Sequence, residues 1–368
     1  MSVLAWLRSR SRRSVDLGKP PAALDPFAAY GALRRGGPVR YMPRHDFWLV
    51  LSNDAVKEAL DRPDLFSSAP YAPIDAVLLG ADPPRHTAVR RVVGHHFSPL
   101  TMARVEAAAA EEAAARLAPE LDVVADFSLA VSRAAAAELL GFDRATAAEL
   151  GAAAEAAAGE PNPVEALVVA VTRFADRAAL FPLLAQGSDR VEEAEARSLV
   201  RLLWLAATTT TERVITRAIL CLLQQPELRA ALLADRALVG PYIEEVMRLY
   251  PPELMLPRRA TKATSLAGCT IPAGAEVRLC VAAANRDPAA YSDPDELRMT
   301  RSPNPHLAFG GGAHRCLGAG LGRRVAAAAL TALLDQGGAL RAAEPLERLD
   351  WFTSVTAISP IRLLVATD

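Results

Sequence analysis

Phe309-Gly310-Gly311-Gly312-Ala313-His314-Arg315-Cys316-Leu317-Gly318 leads without interruption into an apolar, alanine-rich stretch that runs to Leu334. The pattern places Cys316 at a helix N-terminus, where free N–H groups and the helix dipole favour a thiolate, the form of cysteine that ligates a metal. Glycines on both sides let a flat, bulky cofactor come close to the backbone, where any side chain would collide. The other reading of the same residues is a buried structural cysteine behind a glycine-rich turn. The remaining cysteines, Cys221, Cys269 and Cys280, form no CxxC pair with it or with each other. Neither a disulfide framework nor a zinc site is indicated, and a reducing, cytoplasmic setting is expected.

Around this stretch the composition points to helices. Hydrophobic residues make up 51% of the 368, and aromatics only 5%. Most of the apolar content is Ala and Leu, which lose little side-chain freedom in a helix. The formal net charge of −1 leaves no overall electrostatic footprint for nucleic acid or an anionic membrane, so neither is expected as a partner. At the N-terminus the apolar run 3–7 is too short to span a bilayer, and residues 1–13 read as a frayed basic arm.

No repeat and no long Gly/Ser-rich or Pro-rich linker divides the chain, so a single domain over residues 1–368 is expected. Residues 25–36 read as a short helix, 47–52 as a strand and 53–61 as a helix capped by Ser52 or Asn53. The stretch 67–81, with Pro70 and Pro73, reads as an irregular loop. Helical periodicity then continues to about residue 180, broken near Ser98-Pro99, Pro119, Gly141 and Glu160-Pro161-Asn162-Pro163. Residues 192–223 form one long helical pattern whose centre, 202–207, is apolar on every face and is expected to be buried. Pro226 and Pro241 punctuate two more helices, and 268–284 has the β-branched content and turn of a small sheet.

The segment 309–318 resembles the haem-binding loop of cytochromes P450, F-G-x-G-x-H-x-C-x-G, at every fixed position. Three further segments follow the family's order. Glu245-Val246-Met247-Arg248 is similar to its structural E-x-x-R motif, and Asp82-Pro83-Pro84-Arg85-His86-Thr87-Ala88-Val89-Arg90 to its D-P-P-x-H-x-x-x-R segment. Asn285-Arg286-Asp287-Pro288 matches a family turn, and the likeness continues to a strand-like end at 361–365. The resemblance implies a mainly α protein of the cytochrome P450 fold, a helical body with a small β portion. It implies haem b with Cys316 as the metal ligand, and Phe309, Gly310 and Gly318 as parts of its loop. His86, Arg90, Arg258 and His314 match the propionate contacts, since carboxylates need charge-assisted partners. Without the resemblance each of these would be read as an exposed charge. It also implies a monooxygenase acting on a small organic or natural-product molecule, with electrons from a ferredoxin and ferredoxin reductase, because the chain carries no flavin or iron–sulfur motif. Arg91, Arg315, Arg323 and Arg324, with Arg90, match positions that could steer an acidic partner. Substrate contacts are expected from 68–79, 254–256 and 354–356.

The central helix departs from the family's A-G-x-(D/E)-T-T. Ala206-Ala207-Thr208-Thr209-Thr210-Thr211 stands there, with Ala207 for the glycine and Thr209 for the acid, while the alcohol Thr210 is kept. A hydroxyl has no accessible acidic pKa, so Thr209 can pass a proton only through water. Three chemistries fit: a water or substrate carboxylate replaces the acid, peroxide is used directly, or oxygen scission is avoided. A P450-like recruitment module without catalysis is a reading of another class, against which the retained Cys316 counts. Glu212, two residues past Thr210, points elsewhere and is assigned a structural or surface role. The pocket roof, 145–183, is short, as suits an open pocket or a carrier-bound substrate.

Overall fold

The computed structural model describes Leu17 and residues 26–158, 163–185, 191–336 and 339–367. The basic arm at 1–13, Asp25 and the connection at 160–162 lie outside the described residues. The chain divides into two compact units, one drawn from Met1–Pro73, Glu244–Cys316 and Trp351–Ser359, the other from Ile74–Ile243, Leu317–Asp350 and Pro360–Asp368.

The first unit is built on a five-stranded sheet. Strand Val39–Met42 pairs antiparallel with Phe47–Val50, which runs parallel to Glu276–Leu279; Leu256–Ala260 and Phe66–Ser67 complete the order, each antiparallel to its neighbour. The helix Asn53–Leu60 starts where Ser52 Oγ accepts the Ala55 N–H, so Ser52 rather than Asn53 is the cap. Its Val56 and Ala59 pack with Trp48, Val277 and Leu279 in one apolar cluster. The sheet expected over 268–284 stops at Leu279, for Val281–Ala284 is a buried helical turn in which Ala284 N donates to Cys280 O at 3.0 Å. After Val281 the chain is three alanines, which take the helical conformation they prefer.

The second unit is helical. Its centre is the helix Glu193–Gln224, opened by a reciprocal cap in which Glu192 N donates to Glu195 Oε2 at 3.0 Å. Gln224 is the last helical residue because Pro226 begins the next helix, Pro226–Ala234. The long helix packs against Leu129–Leu140 and Ala319–Asp335. The break expected at Gly141 is a left-handed C-cap (φ 70°), and a Cβ there would lie 2.6 Å from Ala179 Cβ. A three-stranded sheet joins Glu120–Asp122, Leu364–Thr367 and Leu340–Ala342. The final strand therefore begins at Leu364, later than expected, because its partners stand opposite 364–367, while Ile361 is 59% exposed. Among the described residues no helix is long and apolar enough to cross a membrane.

Candidate functional site

The segment 309–318 is a closed turn. Cys316 N donates to Phe309 O at 2.8 Å, Arg315 N to Gly312 O at 3.2 Å and Gly310 N to Leu307 O at 2.8 Å. Gly310 (φ 65°) and Gly312 (φ 57°) take left-handed conformations, and a Cβ on Gly312 would meet Leu60 O at 2.1 Å. The helix itself starts at Ala319 with Gly318 as its cap, so Cys316 stands in the turn ahead of the N-terminus rather than in its first turn. Cys316 is exposed, whereas Cys221 and Cys280 are buried and Cys269 is half-buried. Burial pushes the Cys280 thiol up to about 12, leaving it inert at neutral pH. The buried structural cysteine is therefore not the reading that fits Cys316.

This turn is held from behind by a buried carboxylate. Glu245 and Arg248 are 1% and 0% exposed, and their pairing is two-pronged: Arg248 Nε to Oε1 at 2.7 Å, Nη2 to Oε2 at 2.9 Å. Glu245 also accepts from Arg298 N, Arg301 Nε and Asn304 Nδ2, all on the segment that leads to the cysteine. Arg248 in turn donates to the carbonyls of Asn285, Pro294 and Glu296. Asn285 then accepts Leu307 N at 2.7 Å, two residues before Phe309. Burial alone would raise the Glu245 pKa, but the hydrogen bonds from Arg248 and Arg298 N outweigh it and hold the carboxyl below the usual range.

The side chains matched to propionates are not exposed charges. His86 and Arg258 are 1% and 4% exposed, while Arg90, one turn beyond His86 on helix Arg85–Gly94, and His314 are half-buried. Arg258 lies on strand Leu256–Ala260 and is hydrogen-bonded to the phenol of Tyr71, whose own pKa burial drives far above the usual tyrosine range. Tyr71 was not legible from sequence, since nothing local distinguishes it from any other loop aromatic. Of the stretches expected to touch substrate, two meet: Leu254 N donates to Thr356 O at 2.6 Å. Of the basic set, Arg91, Arg315 and Arg324 are exposed and Arg90 and Arg323 half-buried; Arg324 is paired with Glu106 at 2.5 Å and Arg323 donates to Ala319 O.

The long helix is not buried all round its centre. Leu202, Leu203 and Trp204 are buried, but Ala206 is exposed, and Ala207, Thr209 and Thr210 are half-buried. Hydropathy reports what a side chain prefers and not what stands opposite it, so an alanine face over an open space reads like an alanine face in a core. Thr208, Thr209 and Thr210 each donate to the carbonyl four residues back, with Thr210 Oγ1 to Ala206 O at 2.7 Å and Thr209 Oγ1 to Leu205 O at 2.8 Å. Each hydroxyl keeps its lone pairs for accepting a further hydrogen bond. Glu212 is half-buried and takes a hydrogen bond from Thr216 Oγ1 at 2.9 Å. Burial pushes its pKa up to about 7, against the pull of Thr216 and Arg213.

Among the described residues no three His, Cys, Asp or Glu side chains gather to hold a bare metal ion. A reachable thiol in a glycine turn suits a haem iron, and the buried His86 and Arg258 suit carboxylates that need hydrogen-bond donors. Comparison with known proteins agrees. The family model described as Cytochrome P450 matches residues 180–336. Cytochrome P450 109 of Bacillus spizizenii is 30% identical over 372 residues, covering 93% of this chain and 92% of its own length. The ligand-free structure of cytochrome P450 TbtJ1 is similar with a TM-score of 0.86 and 28% identity, over 97% of this chain and 100% of that one. P450BioI in complex with an acyl carrier protein bearing hexadec-9Z-enoic acid is similar with a TM-score of 0.83 and 25% identity, over 94% and 100%. The fold is that of these enzymes, and the chain belongs to the cytochrome P450 family of haem b oxidoreductases.

Proposed function

We propose that this chain is a monooxygenase that places one atom of dioxygen into an apolar small molecule, with two electrons from a ferredoxin and its reductase and two protons reducing the other atom to water. Bound haem would supply the oxygen chemistry, and the Cys316 thiolate would lend the iron electron density. The observation that carries the reading is Cys316, the one exposed thiol of the four, fixed in its turn by the buried Glu245–Arg248 pair. Cys316 would ligate the haem iron, with Phe309, Gly310 and Gly318 shaping its turn. His86, Arg90, Arg258 and His314 would hold the propionates.

Ala206 and Ala207 keep the open face of the long helix low, and Thr210 accepts a hydrogen bond from water while its own proton rests on Ala206 O. Thr209 cannot act as an acid, so protons arrive through ordered water or from the substrate itself. The carrier-protein complex of P450BioI supports a long acyl chain, free or carrier-bound, as the substrate class. A second reading, direct use of peroxide, is favoured by the missing acid at Thr209. The test is the carbon monoxide difference spectrum of the reduced protein with Cys316→Ala beside it. A thiolate-type red-shifted Soret band that persists in Cys316→Ala would overturn the assignment. Turnover with peroxide alone, equal to turnover with ferredoxin and reductase, would select the second reading.

A further inference from the structure

Glu244 and His306 form a pair that none of these roles uses. Ala308 N donates to His306 Nδ1 at 3.2 Å, so that nitrogen carries no proton. The ring is then neutral with its proton on Nε2, which lies 3.0 Å from Glu244 Oε2 and donates to it. The His306 side chain is 1% exposed and that of Glu244 28%. With both nitrogens engaged the ring has one orientation, and it lies against the Phe309 ring, the centroids 5.8 Å apart and the planes tilted by 37°. Phe309 O is the acceptor of Cys316 N. Glu244 and Glu245 are neighbours on helix Val239–Leu249 but serve different parts of the approach to the cysteine: Glu245 takes Arg298, Arg301 and Asn304, and Glu244 takes His306. Asp75 captures amides in a comparable way in the other unit. Its Oδ1 accepts the N–H groups of Val77, Leu78 and Leu79 at 3.2, 2.6 and 2.9 Å, and its Oδ2 accepts the hydroxyl of Ser198 at 2.7 Å. That turn carries none of the residues matched to haem, whereas the amide held by His306 is one residue from Phe309.

From these contacts we infer that His306, oriented by Glu244, is a positioning residue for the seat of the thiolate. Its Nδ1 fixes the chain at Ala308, its ring face fixes the Phe309 ring, and together they keep Phe309 O on the amide of Cys316. The functional half of the inference rests on the assignment of Cys316 as iron ligand. The grip works in one tautomer alone, because Nδ1 must be bare to accept. Glu244 selects that tautomer by taking the proton side of the ring, as a carboxylate behind a histidine does at metal sites. The amide before Ala308 is held by a side chain as well, since Leu307 N donates to Asn285 Oδ1 at 2.7 Å, and Gly310 N then closes the turn on Leu307 O. Two successive amides are thus gripped just ahead of the cysteine turn, and a side chain that only filled the space of the imidazole would release one of them.

The test uses the haem-loaded protein and two readouts: hydrogen exchange at Ala308, and the share of the reduced carbon monoxide complex that shows the thiolate-type Soret band. His306→Ala should speed exchange at Ala308 at least about tenfold and leave less than about half of the complex in the thiolate form, with exchange in helix Asn53–Leu60 unchanged. Asparagine and glutamine separate the two ring nitrogens, for the Asn Oδ1 stands near the place of Nδ1 and the Gln Nε2 near the place of Nε2. His306→Asn should bring exchange at Ala308 back to within about threefold of the parent and keep most of the thiolate form, while His306→Gln should exchange like His306→Ala. Glu244→Leu, which cannot accept the ring N–H, should move both readouts in the direction of His306→Ala. Exchange in His306→Ala equal to the parent overturns the grip on Ala308. Faster exchange with a full thiolate band overturns the positioning role, and His306→Asn no better than alanine overturns the route through Nδ1. Loosening that spreads to helix Asn53–Leu60 with loss of haem makes His306 a general stabiliser and overturns the inference as well. A parent without the thiolate band refutes the proposed function instead, while exchange at Ala308, which does not depend on that band, still decides the grip.

Discussion

Replacing Glu245 by alanine removes the one carboxylate shared by Arg248, Arg301, Asn304 and the backbone of Arg298. The side chains of Arg248 and Arg301 are 0% and 7% exposed, so two guanidinium groups are left in the interior without their anion. Breaking a buried pair in this way costs about 3–5 kcal/mol. At about 2.1 cal/mol/K per residue, a chain of 368 residues unfolds with an entropy of about 0.8 kcal/mol/K, and the loss lowers the melting temperature by about 4–6 °C. Haem content should fall with it, because the same carboxylate holds the segment that leads to Cys316. The sign with pH follows from the depressed Glu245 pKa: its contribution is complete above the ordinary carboxylate range and is lost as pH falls through the lower native value. The gap between parent and variant should therefore be full at pH 7 and shrink in acid. The assays are thermal melting by circular dichroism at several pH values and haem quantified per chain. A Glu245→Ala protein with full haem and a melting temperature within about 1 °C of the parent would refute the reasoning.

Three further outcomes are expected. Thr210→Val keeps the side-chain shape but lacks the hydroxyl, so product per electron pair should fall at least about tenfold while haem content holds; unchanged coupling would remove Thr210 from the proton path. Thr209→Asp puts a half-buried carboxyl beside Leu205 and Ala206 one turn back and beside Glu212 and Arg213 one turn on; desolvation and the neighbouring Glu212 oppose its ionisation, so coupling should stay flat or fall. A large rise in coupling would show that the acid alone was missing. Glu212 titrates near 7 in the native state against an ordinary value of 4.5, so the native state holds a proton that the unfolded chain releases. Stability of the parent should decline as pH rises through that window, and Glu212→Gln should gain about 1–3 kcal/mol at pH 8 and almost nothing at about pH 4, below both values. Equal denaturation midpoints for the two proteins at pH 8 would contradict this.

The parts of the site that were legible in sequence are those written into contiguous residues. The turn 309–318 carries its glycines, its cysteine and its helix start side by side, and Glu245 and Arg248 share one helix face. What surrounds them was not legible. Glu245 is satisfied from residues more than fifty positions away, and the bond from Ser198 to Asp75 spans 123. No periodicity encodes such partners, because their proximity is produced by the fold itself. The same limit hid the open side of Ala206. The helical turn at 281–284 was misread for a different reason: it follows a strand directly, and a run as short as Val-Ala-Ala-Ala carries no period that separates the two conformations.

The way Asp75 holds its segment has a bearing on variation. Its carboxylate grips the amide groups of Val77, Leu78 and Leu79, and none of their side chains takes part in those bonds. Any residue with a backbone N–H can stand at those positions without weakening the grip; only proline is barred, for want of a hydrogen to donate. Exchanges at the half-buried Val77 and Leu79 should therefore leave the path of the loop unchanged, whereas Leu78, 8% exposed within the apolar cluster, has to stay apolar for packing rather than for the grip.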